Sequence, residues 1–146
     1  EPLWKDLEDA KEQILWGISK ADVVKISDNE IEFLFDTFPE AGAQILLEKY
    51  NVKLVFITLG KDGCYFANKK CSGFTNVELQ ANTIDTTGAG DIFGACSMFG
   101  ILKINKSPES LNEQELQKIT SFACRTATLS TEKLGGVSSI PQMQEF

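Results

Sequence analysis

The feature that most constrains the fold is a short apolar run, Leu54-Val55-Phe56-Ile57, in the middle of the chain. Branched and aromatic side chains in an unbroken run are typical of a β-strand, so the sequence predicts a strand over 53–59. A second apolar run within 21–26 is suited to a buried parallel strand. Segments with helical spacing alternate with these strands. The alternation predicts an α/β sheet layered with helices.

Helical spacing and turn residues predict the remaining elements. Pro39 is suited to the first turn of a helix, and a glycine-rich turn at 86–90 leads into an apolar helix. The predicted helices cover 7–18, 28–34, 39–50, 91–102 and 113–131, and the predicted strands cover 21–26, 53–59, 64–67 and further short stretches as far as 79. No repeat or linker divides these elements, so we predict one domain.

Charge and composition narrow the classes of function. The 146 residues include 14 Lys and Arg against 21 Asp and Glu, a formal charge of −7. This acidic balance argues against a protein that binds nucleic acid or an anionic membrane surface. The chain has no histidine, which excludes histidine-based triads and zinc sites with a histidine ligand. No apolar run approaches the roughly 20 residues of a membrane span.

The four cysteines, Cys64, Cys71, Cys96 and Cys124, are widely spaced. No pair forms the C-x-x-C pattern of a zinc or redox site. Cys96 and Cys124 lie in apolar surroundings and are expected to be buried. A disulfide between Cys64 and Cys71 stays open as an alternative, but free thiols in a reducing cytoplasm are the expectation.

The strongest chemical signal is the segment Asp85-Thr86-Thr87-Gly88-Ala89-Gly90-Asp91, which opens an apolar helix. Glycine and alanine leave the first backbone amides of the helix open to an anion, and the helix dipole adds positive charge there. The carboxylate of Asp91 follows in the first turn. Amides that hold a phosphoryl group, beside a carboxylate that takes a proton, suit phosphoryl transfer. The alternative is a glycine turn whose aspartate only complements the helix dipole.

The longer string DTTGAGDIFGACSMFG, residues 85–100, resembles the second signature of the PfkB (ribokinase-like) carbohydrate kinases, and among them it is most similar to fructokinases. Three more segments, 21–30, 57–63 and 135–141, resemble the family in the same order, so the resemblance spans essentially the whole chain. It implies the C-terminal portion of a ribokinase-like three-layer α/β/α fold, a Rossmann-like sheet with helices on both faces.

The resemblance also implies the catalytic residues. In this family the aspartate at the position of Asp91 is the general base that deprotonates the sugar hydroxyl. The backbone amides of Gly88, Ala89, Gly90 and Asp91 would form the anion hole for the γ-phosphate of ATP. The residues alone favour this arrangement only as one of two interpretations of the loop.

The resemblance implies a nucleotide site at the end of the predicted strand 53–59, in the turn that follows it and on the predicted helix 113–131. By resemblance, Thr58, Gly60 and Gly63 line ATP, and Cys124 lies on a helix against the adenine. Without the resemblance, Thr58 and Gly60 are an ordinary exit from a strand into a turn.

A magnesium contact is implied at Ser27-Asp28-Asn29-Glu30, which occupies the family's Asn-x-x-Glu position. Glu30 would help organise Mg²⁺ and its waters around the phosphates, and Ser27 would contact the nucleotide. The same Ser-x-x-Glu spacing before an apolar run is also a helix capping box, and both roles can hold together.

A monovalent-cation site is implied beside the anion hole, where main-chain carbonyls suit a hard cation such as K⁺. The alternative for Asp85 is a hydrogen bond within its own turn. The residues at the implied positions are Asp85, Thr87, Ser130, Lys133, Gly135 and Ser139.

For the full-length protein we therefore expect an ATP-dependent sugar kinase, with ATP and fructose as its partners. The family's sugar-recognition half and its lid have no counterpart in 1–146, and the chain opens without Met. We expect a piece of a larger domain, with little activity alone and an exposed sheet edge; the resemblance leaves room for a homodimer of the full-length protein. A kinase for ribose, a nucleoside or another sugar, and a non-catalytic nucleotide-binding paralogue, stay open as alternatives.

Overall fold

The computed structural model describes residues 6–77, 79, 81–142 and 146. These residues form five α-helices and four strands whose order along the chain is that predicted from the sequence. The helices are α1 (Leu7–Ile18), α2 (Asp28–Phe35), α3 (Pro39–Lys49), α4 (Ala89–Ile104) and α5 (Glu113–Ser130), and the strands are β1 (Val23–Ser27), β2 (Leu54–Thr58), β3 (Cys64–Asn68) and β4 (Ser72–Thr75). No helix among them has the length and apolar character needed to cross a membrane.

The strands form one mixed sheet in the order β1-β2-β3-β4. β1 and β2 are parallel, whereas the β2–β3 and β3–β4 pairs are antiparallel. In the parallel pair Ser27 is opposite Thr58, so the carboxyl ends of β1 and β2 lie side by side. Ligands of open α/β sheets bind at this edge.

The core lies on both faces of the sheet, which confirms the predicted three layers. Val55 and Ile57 belong to a buried cluster with residues of α1, α2 and α3, whereas Leu54 and Phe56 belong to a second cluster with residues of α4 and α5. All four side chains are buried. Because helices cover both faces, the run in β2 is apolar at every position rather than at alternate ones.

Several predicted boundaries differ from those observed, and two of the differences affect the site. α4 begins at Ala89, two residues before the predicted start, because Gly88 takes a left-handed conformation (φ 80°) and serves as its N-cap. Among the described residues, the predicted strands as far as 79 reduce to β4, which ends at Thr75; position 78 lies outside the described residues. After Thr75 the described residues leave the sheet, and Val77 instead packs against the core beneath α4 and α5.

β1 is an edge strand: no other strand of the described chain pairs with its outer side. This agrees with the predicted exposed edge. Lys25, at the centre of β1, is exposed, and a lysine at an edge opposes the addition of a further strand from another molecule. The predicted tendency to associate through this edge stays a prediction.

Candidate active site

A cleft of about 730 Å³ opens where β2 ends, a volume in the range of small-molecule and cofactor sites. The cleft is bounded by the end of β2, the turn between β2 and β3, the segment after β4, the first turn of α4 and one face of α5. Its lining residues are Thr58, Gly60, Lys61, Gly63, Val77, Leu79, Ala81, Thr83, Thr86, Ala89, Gly90, Phe93, Cys124, Ala127, Thr128 and Thr131. Six residues that the resemblance assigned to phosphate or nucleotide binding are therefore together in one cleft.

The turn from β2 into β3 forms one wall. Residues 60–62 form a single 3₁₀ turn, and the amide of Leu59 donates to the carbonyl of Gly63 at 2.8 Å. Gly60 and Gly63 have φ values of 57° and 115°, conformations that glycine adopts at little cost. Gly63 is also packed against the backbone of Thr75, so a side chain at this position would collide with the Thr75 carbonyl oxygen.

The opposite wall comes from α5 and is mostly apolar. Cys124, Ala127, Thr128 and Thr131 recur at the spacing of one helical face. Burial raises the pKa of the Cys124 thiol to about 11, so this residue is a neutral, apolar part of the wall at pH 7. Of these four residues only Cys124 is among the predicted nucleotide contacts; the helical period places the other three on the same face without indicating that this face lines a cleft.

The N-terminus of α4 is left without a side-chain cap. The Ala89 amide donates to the Thr86 carbonyl at 3.2 Å, and the Ile92 amide donates to the Gly88 carbonyl at 2.9 Å. The amides of Gly88, Gly90 and Asp91 have no acceptor among the described residues. Three of the four predicted anion-hole donors are thus open, and the Ala89 amide is not, because Thr86 already uses it.

Close packing holds this turn in place. A Cβ on Gly88 would lie 3.0 Å from the Cα of Gly136, so the loop after α5 touches the turn directly. One turn further along α4, the Phe93 ring packs edge-to-face on Phe56 of the sheet, with 6.1 Å between centroids. The open amides therefore belong to a rigid part of the fold.

Asp91 lies in the first turn of α4, directly after Gly90, which lines the cleft. It is exposed and forms no ion pair within the described chain. Asp91 itself is not among the residues that line the cleft, so its role as general base stays a prediction.

Asp85 ties the turn before α4 to the loop after α5. Its Oδ1 accepts from the Thr87 amide at 2.9 Å, and its Oδ2 accepts from the Gly135 amide at 2.8 Å. These hydrogen bonds, that from Gly135 above all, hold the pKa of Asp85 below its ordinary value. The Thr131 carbonyl adds to the tie, since it accepts from the amides of Ile84 and Asp85 at 2.7 and 3.1 Å.

The candidate K⁺ residues come from two segments. Asp85 and Thr87 lie in the turn before α4, and Ser130, Lys133, Gly135 and Ser139 lie at the end of α5 and in the loop after it. The Lys133 amide donates to the Ser130 carbonyl at 3.4 Å, and the Ser139 amide donates to the Gly135 carbonyl at 3.2 Å. The turn before α4 supplies the Asp85 carboxylate, and the loop after α5 supplies main-chain carbonyls. Both are hard oxygen ligands that fit a hard cation. No group of three or more acidic or cysteine side chains suited to a metal ion occurs in the part of the chain that the structure describes.

Ser27 and Glu30 form a complete capping box at the start of α2. The Glu30 Oε2 accepts from the amide and the hydroxyl of Ser27, at 2.7 and 2.8 Å, and the Glu30 amide donates to the Ser27 Oγ at 3.3 Å. Neither residue lines the cleft. Ser27 lies opposite Thr58, which does, so Glu30 stands at the same edge of the sheet. The magnesium and nucleotide roles of the pair stay predictions.

The fold and the cleft define the class: a three-layer α/β protein with a nucleotide-sized cleft at the carboxyl edge of its sheet, bounded by an uncapped helix N-terminus. A family model described as pfkB family carbohydrate kinase matches residues 1–143. The chain belongs to the pfkB family of carbohydrate kinases.

Curated relatives are similar over nearly the whole chain. Fructokinase-2 of Solanum lycopersicum is 36% identical over 146 residues, which cover 99% of this chain and 43% of that protein. Probable fructokinase-3 of Arabidopsis thaliana is 36% identical over 143 residues, which cover 97% of this chain and 40% of that protein. The chain therefore spans less than half the length of these relatives.

Solved structures confirm the ribokinase-like fold. The fructokinase from Vibrio cholerae O395 in fructose, ADP and calcium ion bound form superposes with a TM-score of 0.82 at 25% identity, over 95% of this chain and 44% of that one. A fructokinase with bound ATP from Xylella fastidiosa has a TM-score of 0.82 at 20% identity, over 95% of this chain and 45% of that one. The second likeness concerns the fold alone.

Proposed function

We propose that this chain is the nucleotide-binding and anion-hole part of an ATP-dependent sugar kinase, with fructose as the acceptor. One observation carries the proposal: the cleft of about 730 Å³ ends at the uncapped start of α4, where the amides of Gly88, Gly90 and Asp91 are open and the Asp91 carboxylate is exposed. The fructokinase relatives, and the neighbouring structure that holds fructose and ADP, support the choice of acceptor and donor.

The proposed reaction is a transfer of the γ-phosphoryl group. The sugar hydroxyl oxygen attacks the γ-phosphorus, the bond from that phosphorus to the β–γ bridging oxygen breaks, and ADP leaves with the electron pair. The hydroxyl proton passes to the Asp91 carboxylate. The open amides of α4 stabilise the charge on the moving phosphoryl group, and they need no reorganisation because the turn is already rigid.

The rest of the nucleotide would extend from α4 across the cleft. Thr58, Gly60 and Gly63 line the side toward the sheet, and Cys124 belongs to the apolar wall of α5, which suits the flat face of a purine. Ser27 is engaged in its capping box, so a direct contact of Ser27 with the nucleotide would require the cap to open.

The residues present fit Mg²⁺ as an ion held mainly by the nucleotide. In kinase sites this ion keeps several waters and takes one or two carboxylates together with the phosphates. The second carboxylate oxygen of Glu30, which takes no part in the capping box, is the group available to this ion. When bound, Mg²⁺ neutralises charge on the β- and γ-phosphates. K⁺ would take carbonyl oxygens of the loop after α5, beside Asp85.

A reducing, cytoplasmic setting is also part of the proposal. All four cysteines lie in the described part of the chain and all are free. Free thiols persist in reducing compartments, whereas secreted proteins of this size commonly pair them.

The test is a kinase assay on the full-length gene product with ATP, Mg²⁺ and a panel of acceptors, read by ADP release. We expect fructose to be the preferred acceptor, and the 146-residue chain alone to bind ATP but transfer little phosphate, because transfer also requires a positioned acceptor hydroxyl and the described site accounts only for the phosphate and the base. Preferred transfer to ribose or a nucleoside would change the acceptor. ATP binding without product on any acceptor would favour a non-catalytic paralogue, and strong transfer by the chain alone would contradict the need for a second half.

A further inference from the structure

Two threonine hydroxyls meet in the wall of the cleft. Thr83, in the segment before α4, and Thr131, at the C-terminus of α5, both line the cleft, and their Oγ1 atoms lie 3.2 Å apart. Backbone hydrogen bonds hold the two segments together beside this contact, because the Thr131 carbonyl accepts from the amides of Ile84 and Asp85. The fold therefore fixes where the Thr83 hydroxyl lies.

The direction of the hydrogen bond between the two hydroxyls follows from a third group. A hydroxyl has one proton to donate and two lone pairs that accept. The Thr131 hydroxyl donates its proton to the Thr128 carbonyl at 2.8 Å, so in the contact between the hydroxyls Thr83 donates and Thr131 accepts. Because the proton of Thr83 is used inside the protein, its Oγ1 offers only lone pairs to the cleft.

Thr83 lies between the two ends of the proposed nucleotide site. Cys124 belongs to the apolar wall that suits a purine, and Thr131 follows it along α5 by about two turns, roughly 10 Å. The segment that Thr131 holds leads directly into the open turn of α4, where the phosphates would bind. A nucleotide with its purine on the apolar wall and its phosphates at α4 would bring its ribose closest to Thr83.

We propose that Thr83 is a specificity-determining residue of this site, whose Oγ1 accepts a hydrogen bond from a donor group of the nucleoside, and that Thr131 is a positioning residue that keeps Thr83 an acceptor. The donors that ATP offers are its ribose hydroxyls and the amino group of its purine, and the position of Thr83 favours the ribose. An analogue that lacks the donor loses the hydrogen bond. The inference rests on the proposed function, since it assumes that the cleft binds a nucleoside triphosphate.

A purely structural role is the alternative for the contact between Thr83 and Thr131. In that role the hydrogen bond only joins the segment before α4 to α5, and its loss weakens the binding of all nucleotides alike. An acceptor for the nucleoside instead changes the ratio of the affinities for ATP and for the analogue without the donor. The ratio therefore separates the two roles.

The test measures dissociation constants of the 146-residue chain by calorimetry with Mg²⁺. The ligands are ATP, 2′-deoxy-ATP, 3′-deoxy-ATP and ITP, which has an oxygen in place of the purine amino group. We expect the wild-type chain to bind one of the deoxy analogues about five- to tenfold more weakly than ATP, as for the loss of one neutral hydrogen bond. Discrimination against ITP alone would assign the donor to the purine amino group.

Variants then test whether Thr83 causes the discrimination. Thr83→Val keeps the shape of the side chain and should bind ATP and the discriminated analogue within about twofold of each other, whereas Thr83→Ser should keep most of the wild-type ratio. Thr131→Val should also reduce the ratio, because Thr83 could then donate as well as accept. The matched control is Thr126→Val, outside the cleft on α5, where the hydroxyl donates to the Phe122 carbonyl at 2.8 Å. It should keep the wild-type ratio.

The outcomes that contradict the proposal are distinct. An unchanged ratio in Thr83→Val, or equal affinity of the wild-type chain for ATP and all the analogues, would overturn the role of Thr83 while the proposed function stands. A wild-type chain that binds none of these nucleotides would overturn both. Thermal unfolding of each variant checks that the chain stays folded.

Discussion

Two helices begin at the same edge of the sheet, and their N-termini are completed in opposite ways. α2 starts with a full capping box, in which Ser27 and Glu30 satisfy each other's backbone amides. α4 starts at Gly88 in a left-handed conformation, has no side-chain cap and leaves three amides open. α5 resembles α2, since Asn112 and Glu115 form a second capping box.

The two helices use their first backbone amides differently. A capping box satisfies them in α2, whereas three of them stay open in α4. The first amides of a helix lack intrahelical acceptors and are satisfied by a cap, by water or by a ligand. A cap such as that of α2 stabilises the fold by about 1 kcal/mol. α4 lacks that stabilisation, and its first turn is held by the contacts of Gly88 with Gly136 and of Phe93 with Phe56. Under the proposed function its open amides bind an anion.

The largest expected effect concerns the carboxylate at the open helix. Asp91→Asn in the full-length protein should lower kcat by about 10²–10⁴-fold, because an amide cannot take the hydroxyl proton. Glu113→Gln, in the first turn of the capped helix α5, is the matched control and should change kcat by less than about twofold. Steady-state assays with saturating ATP and fructose give both values, and near-wild-type turnover of Asp91→Asn would remove this residue from the mechanism.

The next effect concerns the glycine that forms the open turn. Gly88→Ala should lower the free energy of unfolding by about 1–2 kcal/mol, since φ is 80° and the new Cβ would lie 3.0 Å from the Cα of Gly136. Gly17→Ala, inside α1 with no atom within 4 Å of the new Cβ, should instead stabilise the chain by about 0.5–1 kcal/mol. Urea unfolding of the 146-residue chain measures the free energy of unfolding of both variants. Changes of the same sign would contradict the conclusion that the conformation and packing of Gly88 require glycine.

Removal of a cap should have a purely structural effect. Asn112→Ala should lower the free energy of unfolding by about 1 kcal/mol, because the Glu115 amide loses the acceptor that it reaches at 2.9 Å. The ATP dissociation constant should stay within about twofold of wild type, since Asn112 is not among the residues that line the cleft. A loss of ATP affinity in Asn112→Ala would mean that the cap of α5 also contributes to ATP binding.

The smallest expected effect is a pH dependence of the free energy of unfolding. It arises from Asp85, whose carboxylate joins the turn before α4 to the loop after α5. The amides of Gly135 and Thr87 lower the pKa of Asp85 below its ordinary value of 3.8. The ionised carboxylate therefore stabilises the fold above that pH, and the stabilisation is lost as the pH falls through the lower, folded-state pKa. The difference in unfolding free energy between wild type and Asp85→Asn should be constant from about pH 5 to 7 and shrink below about pH 4. A difference independent of pH would show that the hydrogen bonds do not depend on the charge.

Most of the elements and part of the site could be predicted from the sequence. The run in β2, the helical spacing of α1 and α5 and the capping box at Ser27 depend on residues within a few positions of each other, so local patterns indicate them. Thr58, Gly60 and Gly90 were identified by resemblance and do line the cleft. The face formed by Ala127, Thr128 and Thr131 was missed, because a helical period indicates one face without saying what that face meets.

The sequence by itself determined the order of helices and strands, the buried central strand and the glycine-rich turn that opens α4, all of which depend on side-chain type and short-range spacing. Only the tertiary structure decided which amides of α4 stay open, that the Asp85 carboxylate is engaged by Gly135 and that the Lys25 ammonium group fills the space beside Gly90. These contacts join residues far apart in the chain, so they exist only after the two faces of the sheet have packed.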